Sequence, residues 1–133
     1  MAKRFLVVGL GRLGHSCAET LAQAGSEVVA VDIDMPMVSQ IKDRVTFAAQ
    51  LDATDPAALA EVDARTCHAA IVTFGHDFEA TVLAVAALKE VGVPEIIARA
   101  ASARQTRILT AVGATRVFDA EAEFGRQLGT GLV

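Results

Sequence analysis

Short, uninterrupted apolar runs recur along this chain, separated by longer stretches where apolar positions return every three or four residues. Phe5 to Val8, Val28 to Val31 and Ala69 to Val72 contain no polar residue at all. Runs of that kind suit strands buried on both faces of a parallel sheet. Strands are predicted over 4–9, 27–32, 45–49, 69–74, 95–99 and 115–118. Helices are predicted over 12–24, 35–43, 56–62, 77–91, 102–111 and from about 121 onward. Pro36, Pro56 and Pro94 fall at turns or helix starts and leave the strands intact. The regular alternation predicts one doubly wound α/β domain. With right-handed crossovers it has a six-stranded parallel sheet in the order 3-2-1-4-5-6 and helices on both faces.

The turn after the first strand carries the most chemistry. Gly9-Leu10-Gly11-Arg12-Leu13-Gly14 stands between a predicted strand and a predicted helix, and the second strand ends in Asp32. Asp32 lies 18 residues past Gly14 and 21 past Gly11. Strand, glycine-rich turn, helix and distant acid together form the Rossmann dinucleotide-binding fingerprint in its required context. Gly9 permits the tight turn, Gly11 leaves room for a phosphate against the backbone, and Gly14 lets the helix lie close on the sheet. The helix then offers unpaired N–H groups and its positive end to an anion. A carboxylate at Asp32 suits ribose hydroxyls and repels a 2′-phosphate.

The crevice is expected at the carboxyl ends of the strands, between the first and fourth, where the order reverses. Polar or small residues end every strand there: Asp32 and Asp34, Asp52-Ala53-Thr54-Asp55, Thr73-Phe74-Gly75-His76-Asp77, Arg99, then Asp119 and Glu121. Some have plainer readings. Asp34 is expected to cap the helix that starts near Pro36, and Asp55 or Thr54 the one at Pro56. Asp52 and Thr54 also read as loop residues leading into that helix. Arg12 sits at the unfavourable end of a helix dipole for a cation unless an anion is present, whereas Glu121 suits a helix start with no ligand at all. His76 reads as a solvated loop histidine, and His15 and His68 as structural.

Composition narrows the function further. The 133 residues suffice for one domain, 53% of them hydrophobic, with a net charge of −4 spread without runs. That balance, with no Trp or Tyr, argues against nucleic acid. No apolar stretch is long enough to insert in a membrane, and Met-Ala-Lys-Arg leads straight into the first strand, leaving no room for a signal peptide. Cys17 and Cys67 are too separated to form a CxxC pair; Cys17, on a helix face with Leu13 and Leu21, is expected to be buried. A cytoplasmic location without disulfides follows as the default, and no standing zinc site is expected. In the fourth helix, Val82, Leu83, Val85, Ala86 and Leu88 exceed what one sheet face requires, leaving plain core or a partner subunit as readings.

Several segments, taken together, resemble the nucleotide-binding N-terminal lobe of RCK or KTN domains. These are Gly9-Leu-Gly11-Arg12-Leu13-Gly14, Val31-Asp32, Asp52-Ala53-Thr54, the loop around Gly75, Ala98-Arg99-Ala100, Gly113-Ala114 and Asp119-Ala-Glu121-Ala-Glu-Phe-Gly125. Such domains are cytoplasmic regulators of potassium channels and of Trk/Ktr-type potassium uptake systems. The resemblance covers almost the whole chain, 1–133, as a single lobe. It implies binding of ATP, ADP or NAD(H), and gating of a membrane-embedded potassium channel or transporter subunit by nucleotide-dependent conformational change. It also implies a homodimer, arranged as an octameric ring in longer relatives, at the inner face of the membrane. The nucleotide residues it implies are Gly9, Gly11, Arg12, Leu13, Gly14, Asp32, Ile33, Asp52, Ala53, Thr54, Phe74, Gly75 and Arg99. Glu121 matches a position that helps coordinate Mg²⁺ or another divalent cation with the phosphates. Family regulators usually continue into a crossover helix and a second, ligand-sensing lobe. The chain ends at Val133, at or just past the start of that helix, so second-lobe functions are not carried over.

The competing class is an enzyme, the cofactor half of an NAD-dependent dehydrogenase. Nothing in the sequence supplies a hydride-transfer partner or a nucleophile with an adjacent base. A regulatory binding module, needing only different nucleotide affinity in two conformations, is the better reading.

Overall fold

The computed structural model describes residues 2–133. Six strands form one parallel sheet: β1 (Arg4–Val8), β2 (Glu27–Asp32), β3 (Phe47–Gln50), β4 (Ala69–Val72), β5 (Ile96–Arg99) and β6 (Arg116–Phe118). Their order is β3-β2-β1-β4-β5-β6, as the alternation predicts. Between and after them run α1 (Arg12–Gln23), α2 (Met35–Ile41), α3 (Pro56–Glu61), α4 (Phe78–Val91), α5 (Ala103–Val112) and α6 (Ala120–Leu132). A 3-10 turn, Ala64–Thr66, enters β4 after Asp63, whose backbone is left-handed (φ 53°). No apolar period announces so short an element, and the sequence reading passed over it.

The register explains why the central strands are apolar throughout. Leu6 and Val8 point into one core layer, with Val29, Val31, Ala70, Val72 and the inner faces of α4 and α5. Val7 points to the other layer, with Val28, Ala30, Ala18 of α1 and Val38 and Ile41 of α2. Period-two alternation thus splits each strand between two hydrophobic layers and leaves no polar face.

Three differences from the sequence reading have local causes. β1 stops at Val8, because Gly9 turns to φ +95° and leaves the sheet. In α4, Val85 and Leu88 are fully buried and Val82 is half-buried, so most of its apolar surplus is core. Only Leu83 and Ala86 of that set remain exposed. Cys17 is half-exposed, whereas Cys67 is buried. Burial pushes both thiols above their ordinary pKa.

Every residue of α6 from Glu121 onward is exposed. Phe124, Leu128 and Leu132 recur every four residues on it, an apolar stripe at helical spacing. No described helix is long and apolar enough to cross a membrane.

Candidate functional site

The β1–α1 turn is held from three directions. Gly9 donates its N–H to the Val31 carbonyl of β2 at 2.9 Å. Asp32 reaches back across the strands: its Oδ2 accepts the Leu10 N–H at 2.7 Å, and its Oδ1 accepts the Asp34 N–H at 2.8 Å. From β4, the buried Thr73 hydroxyl donates within 2.9 Å of the Gly9 carbonyl and 3.1 Å of the Val8 carbonyl. The turn is therefore fixed before any ligand arrives.

Gly14 makes this geometry possible. A Cβ there would fall 1.7 Å from the Gly9 carbonyl oxygen and 2.7 Å from Thr73 Oγ1. Gly11 is the opposite case: a Cβ would meet nothing within 4 Å, and its backbone (φ −67°) suits any residue. The space beside Gly11 belongs to the crevice, not to the fold.

Helix α1 opens on that space without a cap. Asp55, Asp77, Ser102 and Asp119 cap α3, α4, α5 and α6 with side-chain bonds to backbone N–H groups. Gly11, at the head of α1, has no side chain to offer, and the first turn of α1 holds no acid. The first backbone bond of α1 runs from the His15 N–H to the Gly11 carbonyl, at 2.8 Å. The N–H groups ahead of it are the ones a helix leaves for an external acceptor.

One cleft of about 890 Å³ opens over this turn. All thirteen nucleotide-site residues named from the sequence line it: Gly9, Gly11, Arg12, Leu13, Gly14, Asp32, Ile33, Asp52, Ala53, Thr54, Phe74, Gly75 and Arg99. They come from five different strand ends. Ile33, 68% exposed, is an apolar surface beside Asp32 on which a flat ring can lie. Asp52 Oδ1 accepts both the Thr54 hydroxyl, at 2.6 Å, and the Thr54 N–H, at 2.9 Å. The hydroxyl first and the N–H second hold the Asp52 carboxyl below the usual carboxylate range. Thr54 Oγ1 spends its proton on Asp52, so toward a ligand it is an acceptor only. The capping question at Pro56 is decided for Asp55, which accepts the Ala57 N–H at 3.0 Å. At α2 the expectation fails: Asp34 occupies the cap position but makes no side-chain cap bond, and its own N–H is taken by Asp32.

Glu121 lies outside this cleft. It lines a second, smaller cavity of about 230 Å³, between the β4–α4 loop, the end of β5 and the start of α6. Its Oε1 accepts from Arg99 Nη2 at 3.1 Å. Among the described residues no three His, Cys, Asp or Glu side chains gather as a metal would need. The cleft residues not among the candidates include Val8, Leu10, Val31, Met37, Leu51 and Ala80, apolar or turn positions with no chemical signature of their own. Thr73 was visible as a polar strand end, but its clamp on the β1 carbonyls needed the neighbouring strand.

The donor set fits a nucleotide. Uncapped N–H groups and Arg12 suit phosphate, the second lone pairs of the Asp32 carboxylate suit ribose hydroxyls, and Ile33, Leu51 and Ala53 offer apolar walls to a base.

Comparisons with known proteins give the chain's family and fold relatives. The Ktr system potassium uptake protein C of Bacillus subtilis is 32% identical over 133 residues, covering 100% of this chain and 60% of that protein. The Ktr system potassium uptake protein A of Vibrio alginolyticus is 32% identical over 123 residues, covering 92% of this chain and 56% of the other. The chain thus spans well under two thirds of the curated relatives it matches. Among solved structures, the TrkA-N domain of the inner membrane protein ybaL from Escherichia coli superposes with a TM-score of 0.87 at 25% identity, covering 100% and 98% of the two chains. The GsuK channel bound to NAD shares the fold, with a TM-score of 0.83 at 17% identity, over 97% of this chain and 23% of that one. The TrkA-N domain family matches residues 5–120, and the chain belongs to it.

Proposed function

We propose that this chain is a regulatory nucleotide-binding domain of a potassium transport system, holding ATP, ADP or NAD(H) in the cleft over the β1–α1 turn. The observation that carries this reading is the uncapped start of α1, set opposite an Asp32 carboxylate already braced by two backbone N–H groups. Phosphate lies at the Gly11–Gly14 turn with Arg12 beside it. Ribose hydroxyls donate to Asp32, and the base lies between Ile33 and the Asp52–Thr54 loop. The relatives named as Ktr potassium uptake proteins support the transport role, and the GsuK channel structures with NAD and with ADP support the ligand class. The chain's own part is to bind and to signal, not to turn a substrate over. It acts in the cytoplasm, with the Phe124, Leu128 and Leu132 stripe of α6 docking on a second copy or on the longer assembly that contacts the pore.

The test is calorimetric titration of ATP, ADP, AMP, NAD and NADH, with and without Mg²⁺, into protein stripped of copurified nucleotide. Saturable binding of at least one of them, lost in Asp32→Ala, is expected. Binding of none would refute the reading, and NAD-dependent oxidation of alcohols or hydroxy acids by the chain alone would move it to the dehydrogenase class. A gain in affinity with Mg²⁺ would place a divalent cation beside the phosphates.

A further inference from the structure

Among the described residues, Arg99 is the one arginine or lysine that lines both cavities. It stands at the end of β5, and its guanidinium lies against the backbone of Gly75, where a Cβ would come within 2.9 Å of Nη1. Gly75, Phe74 and His76 also belong to both cavities, so the β4–α4 loop and Arg99 form the wall between them. On the far side of that wall Arg99 is held by a single bond, from Nη2 to Glu121. Glu121 belongs only to the smaller cavity.

The two partners of this ion pair are unequally placed. The Arg99 side chain is 22% exposed, while that of Glu121 is 88% exposed. A carboxylate so open to water holds its partner weakly. A phosphate oxygen pair in a half-enclosed cleft can take two N–H groups of the same guanidinium at once, a stronger arrangement. Four of the five guanidinium N–H donors are not engaged by Glu121, and the side chain already borders the cleft.

We propose that Glu121 is a built-in competitor for Arg99, which the phosphate tail of a nucleotide must displace, so that the pair sets how many phosphates the cleft favours. This rests on the nucleotide reading above. A ligand whose tail extends past the Gly11 turn toward Gly75 draws Arg99 off Glu121; one without that tail leaves the pair intact. The cleft thus favours nucleoside di- and triphosphates over AMP and adenosine, and Glu121 lowers affinity for the former alone. Glu121 is a positioning residue, since it acts only through Arg99.

The test is calorimetry on the 133-residue chain, without divalent cations, using adenosine, AMP, ADP and ATP as probes. The proteins are the unaltered chain, Glu121→Gln, Arg99→Gln and the double variant, with circular dichroism confirming that each is folded. Expected is ADP and ATP binding about two- to fivefold tighter in E121Q, the range that releasing a weak surface ion pair permits, with adenosine unchanged. R99Q weakens ADP and ATP and brings them toward AMP, and adding E121Q to R99Q then changes nothing. Weaker ADP binding in E121Q overturns the proposal, because Glu121 would then assist the ligand. An equal gain in the R99Q background also overturns it, since the effect would be a general loss of negative charge. If ADP binds the unaltered chain but ignores both substitutions, the nucleotide reading stands and the competition fails. If no probe binds, the competition fails, and the titration with NAD, NADH and Mg²⁺ described above decides the nucleotide reading separately.

Discussion

Gly14→Ala and Gly11→Ala differ by one methyl group placed three residues apart, and the structure assigns them opposite consequences. In Gly14→Ala the new Cβ would sit 1.7 Å from the Gly9 carbonyl oxygen and 2.8 Å from its carbon. An ordinary C···O contact is about 3.3 Å or more, so α1 and the β1 turn must part by more than about 1 Å. Neither can yield easily. The Gly9 carbonyl is pinned by the buried Thr73 hydroxyl, and Leu10 and Ala18, on either side of the contact, are fully packed against β1 and β2. Alanine regains up to about 1 kcal/mol of helix propensity over glycine. Against that stand overpacking of about 1–3 kcal/mol and at least one buried hydrogen bond, worth about 1 kcal/mol. A net loss of about 2 kcal/mol is expected, lowering Tm by about 8 °C for a domain of this size. Gly11→Ala meets no atom within 4 Å and no forbidden backbone angle. Its Tm should stay within about 2 °C, the span of an inert surface change, while the methyl group occupies the space assigned to phosphate and nucleotide affinity falls at least about tenfold, or about 1.4 kcal/mol. Differential scanning calorimetry and nucleotide titration on both variants decide the matter. A G14A protein as stable as the parent would refute the contact argument. A G11A protein that binds ADP normally would refute the placement of phosphate.

Other outcomes follow from single contacts. Asp32→Ala leaves the Leu10 and Asp34 N–H groups without their acceptor; urea denaturation should show a loss of about 1–3 kcal/mol, together with lost nucleotide binding, whereas a purely solvated acid would cost nothing. Asp52 is favoured as carboxylate by the Thr54 hydroxyl, so its small stabilisation is complete above the unfolded-chain pKa of about 3.9 and fades as pH falls through the lower folded value. Removing that hydroxyl in Thr54→Val should move the Asp52 carboxyl titration, followed by carbon NMR, upward; no movement would mean the bond is not formed in solution. Burial raises the Cys67 thiol and keeps it from solvent, so at pH 8 iodoacetamide should label half-exposed Cys17 before Cys67, and the reverse order would contradict the packing.

Much of the cleft was legible beforehand because its parts are local. A glycine turn, an acid at a strand end and an Asp-Ala-Thr loop are each written in a few consecutive residues, and sheet order then gathers strand ends at one rim. Cap assignment was less secure: Asp34 and Asp55 look alike in sequence before Met-Pro and Pro, yet only Asp55 caps its helix. The reason lies in Asp32, which takes the Asp34 N–H and shapes that loop for the β1–α1 turn instead.

By itself the sequence determined the succession of strands and helices, the strand order and the position of the crevice, because apolar period and glycine placement act over one element at a time. Tertiary structure alone decided which groups are already spoken for. Asp32 joins Leu10 across 22 residues, Thr73 holds Gly9 across 64, and Arg99 meets Glu121 across 22. Hydrogen bonds and ion pairs act over about 3 Å, and no spacing in a linear chain says which distant side chains the sheet will bring within that reach.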